Sequence, residues 1–345
     1  MTRHVVPPYL LARLAESGDR FDRAARAARA GLAGWEQLAA HRDDAPPADG
    51  PPRTGGLDRT VSDAEGREEL PGRTVRTEGD PPTDDVAATE AYDGLGATHA
   101  LFAEAYGRSS IDGEGLPLEA TVHYGDDYDN AFWDGERMVF GDGDGEVFRR
   151  FTASLSVIGH ELAHGVTQYT TNLAYRGQSG ALNESVSDVF GALVEQHAAG
   201  QTVDQASWLI GEGLFTDAVQ GRALRSMSAP GTAYDDDVLG TDPQPGHLDD
   251  LVVTEEDAGG VHINSGIPNR AFHLVAVALG GHAWERAGQV WYDAITAGTL
   301  PATADFARFA AATLEAAVAR YGADSDEARA VEAGWAGVGL PLAGA

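Results

Sequence analysis

The chain has 345 residues, 43% of them hydrophobic, which is enough for roughly two or three ordinary domains with filled cores. Its formal charge of −30, from 54 acidic against 24 basic residues that are all arginine, argues against nucleic acid and anionic membrane surfaces as partners and is suited to solubility. No cysteine occurs, so disulfides and thiolate ligands are excluded and any zinc must be held by histidine and carboxylate.

Residues 9 to 32 carry one apolar stripe, Leu10, Leu11, Leu14, Phe21, Ala25, Ala28 and Leu32, and read as helix. Pro7, Pro8, Arg13 and Glu16 interrupt what a secretory signal would need as a continuous apolar run. No segment approaches the roughly 20 apolar residues of a membrane span. These features predict a protein that is cytoplasmic or exported without a recognisable signal. HRDDAPPADGPPRTGG, residues 41 to 56, reads as an exposed linker open to proteolysis, which makes the first fifty residues a separable unit. Beyond it, turn signals separate short β-prone pieces up to about residue 83, and VAATEAYDGLGATHALFAEAYG reads as helix. LEATVHY (118 to 124) and RMVF (137 to 140) read as strands.

After residue 150 the pattern is almost wholly helical. Leu155, Ile158, Leu162, Val166 and Tyr169 repeat at a period of about 3.6. Leu182, Val186, Val189, Phe190, Leu193 and Val194 mark a second helix. An acidic loop follows, roughly 228 to 260, and three or four further helices begin near Pro268, a residue suited to a first helical turn. The expected fold class is therefore α+β: a short helical N-terminal unit (1–50), a mixed β/α lobe (51–170) and a mainly α-helical lobe (171–345).

VIGHELAHGVTQ places His160 and His164 four residues apart on one helical face, where two imidazoles can reach one metal ion. GALNESVSDVFG places Glu184 and Asp188 four apart, beside an apolar stripe that buries them. Two adjacent buried carboxylates are costly unless a cation or donors compensate, and zinc with its histidines would do so. Catalytic zinc keeps three protein ligands and one water, and His160, His164 and Glu184 make such a set. Glu161 is then the natural base for the zinc-bound water. Asp188 would accept the free ring N–H of a ligand histidine, and Asn183 would do likewise through its carbonyl. The alternative for both is a backbone-stabilising role.

HELAHGVTQYT, ALNESVSDVFG and DAGGVHINSGIPNRA closely resemble, in order, three hallmark segments of the thermolysin-like zinc metallopeptidases, from about residue 57 to the C-terminus. The glutamate ligand lies 20 residues after the second histidine, a longer interval than in zinc aminopeptidases with a related ligand set. The resemblance implies two lobes with the active-site cleft and the zinc helix between them. It implies His262 and Tyr175 as donors to the oxyanion, Asp257 as the carboxylate that orients His262, and Arg225 as the ligand of a substrate carbonyl. Asn130 and Ala131, in DNAFWDG, match edge-strand residues that pair with substrate backbone. Phe148, Val157, Leu214 and Leu224 would line the pocket after the scissile bond, which predicts cleavage before bulky hydrophobic residues; each also reads as plain core. Calcium is a second cofactor to consider. Glu195 and Glu212 align with calcium ligands, but Ser156, Ser207 and Leu209 stand at other ligand positions, which argues against calcium dependence.

VVPPYLLARL is similar to the short propeptide of the protealysin-like subgroup. There, Pro7 and Pro8 would hold an extended segment across the cleft, with Tyr9 as anchor, and cutting in the linker near residues 45 to 56 would release active enzyme. A proline-flanked helix start without inhibitory function is the alternative. The partners implied are protein or peptide substrates and the propeptide itself as intramolecular inhibitor; a separate protein inhibitor is left open. The competing function is a catalytically silent zinc protein acting as a binding module. That reading would be favoured by loss of Glu161 or His262, and both are present. A structural zinc domain would need a fourth protein ligand, and none is evident.

Overall fold

The computed structural model describes residues 3–18, 20–38 and 56–342. A six-stranded sheet runs in the order β1-β5-β6-β4-β2-β3. Its strands are β1 (Arg3–His4), β2 (Arg59–Asp63), β3 (Arg73–Thr77), β4 (Leu118–Val122), β5 (Ala131–Trp133) and β6 (Met138–Phe140). Strands β2, β4 and β6 are mutually parallel, whereas β3, β5 and β1 are antiparallel to their neighbours. Parallel pairing of β2 with β4 needs a crossover. Helix α3 (Val86–Tyr106) lies within it, capped by the Asp85 carboxylate on the amides of Ala87 and Ala88 and closed by Gly107 in the left-handed region.

The N-terminal unit departs from the single helix expected over residues 9 to 32. It is a hairpin of α1 (Pro8–Ala15) and α2 (Asp22–Leu38). The break follows from Ser17 and Gly18: the Ser17 hydroxyl donates to Leu14 O at 2.7 Å and closes α1, a local bond that competes with helix continuation. Leu10, Leu11, Leu14, Ala24 and Ala28 are all buried. Of the linker at 41 to 56, all but Gly56 lies outside the described residues.

The remainder is mainly helical, as the sequence predicts. Helices α4 (Leu155–Gln168) and α5 (Gly177–Ala199) form its centre, and every residue of α4 from Ser156 to Thr167 is buried. Their backbones touch through glycine. A Cβ added at Gly191 would lie 2.4 Å from Ser156 O, and one at Gly159 would lie 3.0 Å from the Gly191 Cα. Two short ribbons follow, β7 (Leu209–Ile210) with β8 (Arg225–Ser226), and β9 (Asp235–Asp236) with β10 (Gly240–Thr241). The second lies inside the stretch expected to be loop. Helix α6 (Asp257–Asn264) opens on four residues with positive φ, Asp257 to Gly260. It leads to α7 (Gly266–Leu279), which has Pro268 in its first turn, then α8 (Ala287–Thr296), α9 (Phe306–Tyr321) and α10 (Asp326–Ala336). Among the described residues no helix is long and apolar enough to cross a membrane.

Candidate metal centre and cleft

The close approach of α4 to α5 brings His160, His164 and Glu184 together in the core. One ligand atom each from His160, His164 and Glu184 lies within 4.8 Å of the others, and all three residues are buried. His160 Nε2 is 3.5 Å from Glu184 Oε2, and His164 Nε2 is 3.4 Å from Glu184 Oε1. Neither His160 Nε2 nor Glu184 Oε2 has a hydrogen-bond partner, which is costly for buried polar atoms.

The outward nitrogens explain how the rings are set. His160 Nδ1 is 2.8 Å from Asp188 Oδ1, and His164 Nδ1 is 2.8 Å from Asn183 Oδ1. A carboxylate and an amide oxygen accept only, so each Nδ1 carries its proton and each Nε2 turns a lone pair inward. The Asn183 amide is itself oriented by donation to Leu173 O at 2.9 Å. Ser187 Oγ also meets His164 Nδ1, at 2.9 Å. Burial alone would raise the Asp188 pKa, but the charge of Arg225 and the bond from His160 hold it well below the usual carboxylate range. Arg225 grips Asp188 with two bonds of 2.8 and 2.9 Å, and Asn269 Nδ2 adds a third at 2.8 Å.

A second cluster faces the first. The positive-φ turn from Asp257 to Gly260 folds the Asp257 carboxylate onto residue 262, where Oδ1 is 2.6 Å from His262 Nδ1 and Oδ2 accepts the His262 amide at 2.8 Å. Burial opposes a charge on this imidazole. The carboxylates of Asp257 and Glu184 overcome that and push its pKa up to about 9. The Tyr175 hydroxyl donates to Glu184 Oε1 and lies 3.2 Å from His262 Nε2. Glu161, next to His160 on α4, accepts the Trp133 amide of β5 on Oε2 at 3.0 Å.

The N-terminal segment lies along this constellation. Strand β1 pairs antiparallel with β5, Arg3 opposite Trp133 and His4 opposite Phe132. Val5 N donates to Ala131 O at 3.2 Å, and the Val5 carbonyl accepts from Arg225 Nη1 at 3.0 Å. Val6 N donates to Asn130 Oδ1 at 2.9 Å, and Asn130 Nδ2 donates back to Val6 O at 3.3 Å. The His4 carbonyl lies 3.0 Å from His262 Nε2. Val5 and Val6 are wholly buried.

The family model described as the thermolysin metallopeptidase catalytic domain matches residues 59–168, and that for its alpha-helical domain matches residues 171–340. The chain belongs to the thermolysin metallopeptidase family. Within it, the chain is 50% identical over 338 residues to an extracellular metalloprotease of Pectobacterium carotovorum subsp. carotovorum, spanning 98% of this chain and 96% of the relative. It is 39% identical to thermolysin of Alicyclobacillus acidocaldarius subsp. acidocaldarius over 74% of this chain and 46% of that one. The solved precursor of protealysin from Serratia proteamaculans superposes with a TM-score of 0.88 at 50% identity, covering 98% of this chain and 99% of that one, in keeping with the protealysin-like subgroup. As a thermolysin-type chain it is a zinc metalloendopeptidase, and the donor set fits that metal: two imidazoles and a carboxylate converge on one point, with His160 Nε2 and Glu184 Oε2 buried and without a hydrogen-bond partner.

The residues singled out in this thermolysin-type sequence fall into three groups. His160, His164, Glu184, Asp188, Asn183, Glu161, Tyr175, His262 and Asp257 meet at one centre. Asn130, Ala131 and Arg225 meet the N-terminal segment. Phe148, Val157, Leu214 and Leu224 are buried in the hydrophobic core, with Phe148 stacked on Phe215. Glu195 feels the charge of Glu212, so the two are neighbours; among the described residues the only converging group of three or more His, Asp or Glu is the zinc set.

One expectation is corrected. The extended segment in the cleft is Arg3 to Val6, not Pro7 and Pro8: Pro8 is the first residue of α1, Pro7 its extended N-cap, and Tyr9 already helical. Proline at the first helical position loses no bond, because that amide has no partner in a helix. Tyr9 is hydrogen-bonded to Tyr234 and so does sit against the helical lobe. Sequence reading missed Trp133, Ser187 and Asn269, although each lies inside a segment quoted for other residues. It also missed the strand, whose signal was a β-branched pair before proline, Val5-Val6-Pro7.

Proposed function

We propose that the chain is an endopeptidase made as a precursor, with residues 1–50 as inhibitor, 51–170 and 171–345 as the two catalytic lobes, and a preference for cleavage before bulky hydrophobic residues. The observation that carries this reading is the lie of Arg3 to Val6: a peptide added to β5 with successive backbone groups on His262, Ala131, Arg225 and Asn130, as substrate would bind. The preference is supported by Val5, a wholly buried apolar side chain just beyond the His262-bound carbonyl, with Phe148, Val157, Leu214 and Leu224 as the proposed pocket.

Bound zinc, held by His160, His164 and Glu184, supplies Lewis acidity to the scissile carbonyl and acidifies water. The protein's own groups do the rest. Glu161 takes the proton of the attacking water and passes it to the leaving amine, its carboxylate steadied by the Trp133 amide. His262, kept protonated by Asp257, and Tyr175 donate to the developing oxyanion, a contribution of about 3 kcal/mol for each well-placed donor. Arg225 and Asn130 fix the backbone on the far side of the scissile bond. Asp188 and Asn183 hold the ligand rings by Nδ1, in the orientation that points Nε2 at the metal position.

The test uses purified precursor with zinc, with a chelator, and as Glu161→Gln. The wild type should shorten at its N-terminal region and digest casein, while the other two stay full length and inactive. Equal activity in all three samples would refute the mechanism.

A further inference from the structure

The bonds along Arg3 to Val6 fix a register as well as a location. Three successive residues are each tied to a different group: His4 by its carbonyl to His262, Val5 by amide and carbonyl to Ala131 and Arg225, and Val6 on both sides to Asn130. A strand held at three consecutive positions cannot slip by one residue without losing them all. The carbonyl facing His262 Nε2, with the Tyr175 hydroxyl 3.2 Å from that same nitrogen, belongs to His4. The next amide nitrogen along the chain is that of Val5.

We propose that the first substrate of this enzyme is its own His4–Val5 peptide bond, hydrolysed within the same molecule before the linker is cut. The inference rests on the function proposed above. Water oxygen bonds to the His4 carbonyl carbon and the bond from that carbon to Val5 N breaks. Glu161 carries the first water proton to Val5 N as that bond breaks, and the second water proton, released from the new carboxyl group, follows it to the same nitrogen, leaving a carboxylate on His4 and an ammonium on Val5. No other co-reactant is needed. The cut precedes linker cleavage because Arg3 to Val6 already occupy the β5 edge that a linker peptide would have to pair with. It does not itself free the cleft. The Val5 carbonyl keeps Arg225, Val6 keeps Asn130, and Leu10, Leu11 and Leu14 stay buried, so the trimmed hairpin remains docked as a product.

Two measurements test this. In metal-free Glu161→Gln precursor, amide exchange should find Val5 and Val6 protected by roughly 100-fold or more, with Asn130→Ala releasing Val6 more than Val5. Free exchange at both amides would overturn the register. Zinc is then added to metal-free wild-type precursor, and intact mass and N-terminal sequence are followed over a roughly 20-fold range of protein concentration. A species beginning at Val5 should precede any linker-cut species, at a rate independent of concentration, and should be absent from Glu161→Gln. The inference fails if chains cut in the linker appear first, if the Val5 species forms in proportion to concentration, or if Glu161→Gln forms it too. Casein hydrolysis by matured enzyme without a Val5 species sinks this inference alone; loss of both sinks the proposed function with it.

Discussion

The α4–α5 centre and the β1–β5 seam both bury polar groups, but they satisfy them differently. At the centre, the donors meet acceptors fixed by side-chain identity: Asp188 for His160 and Arg225, Asn183 for His164, Asp257 for His262. Along the seam the partners are mostly backbone amides and carbonyls of Arg3 to Val6, which any peptide possesses. A site built from specific side chains is permanent, whereas a seam built from backbone is exchangeable. On the function proposed above, an N-terminal inhibitor held by backbone bonds of this kind can be displaced without rebuilding the machinery beneath it.

The sharpest way to break the permanent half is Asp188→Asn. Arg225 would lose the charge that balances it in a fully buried position, at about 3–5 kcal/mol. His160 would lose its orienting carboxylate, lowering zinc affinity roughly 10–100-fold. Urea unfolding and competition with a chromogenic chelator read the two effects; unchanged zinc affinity would deny Asp188 its orienting role. Next in size, metal removal should lower the unfolding temperature. A site bound at free zinc a thousandfold above its Kd contributes about 4 kcal/mol to stability, which a chelator withdraws.

The exchangeable half is probed by Leu14→Ala. Deleting a wholly buried side chain of the hairpin should weaken docking by about 2–4 kcal/mol and raise casein hydrolysis by uncut precursor. The mature form, lacking residue 14, should be unaffected, and an unchanged precursor would mean that the hairpin is not held by this core. The smallest effect belongs to His123, which ties the α3 cap Asp85 to Asp142 at 2.9 and 2.8 Å, outside both regions. Its bond to Asp142, opposed by burial and aided by Asp85, raises its pKa to about 9 from 6.5. The stability it adds is fully present below pH 6.5 and is lost as pH rises through about 9. His123→Gln should flatten thermal stability across that window; an unaltered slope would remove His123 as its source.

The centre was legible in the sequence because its determinants are local. HELAH and NESVSD are each a helical turn or two, and helix periodicity alone puts their polar residues on common faces. Asn269 and Arg225 reach Asp188 from 81 and 37 residues away, so only the resemblance pointed to Arg225 and nothing singled out Asn269. The seam was harder for the same reason. Val6 finds Asn130 across 124 residues, and a two-residue strand carries almost no periodic signal of its own. The prolines drew attention to Pro7 and Pro8, yet their effect is to end the strand and start α1 on time.

The hydrogen atom on Gly191 Cα has a long reach. Residue 191 lies two helical turns beyond Glu184 on the same side of α5, and a methyl there would press within 2.4 Å of the Ser156 carbonyl. Relief would come only by prying the two rods apart, carrying the carboxylate away from the imidazoles. The spacing of the zinc donors is thus gauged from a spot that binds nothing, and an alanine at 191 would loosen the ion while leaving every ligand in the sequence.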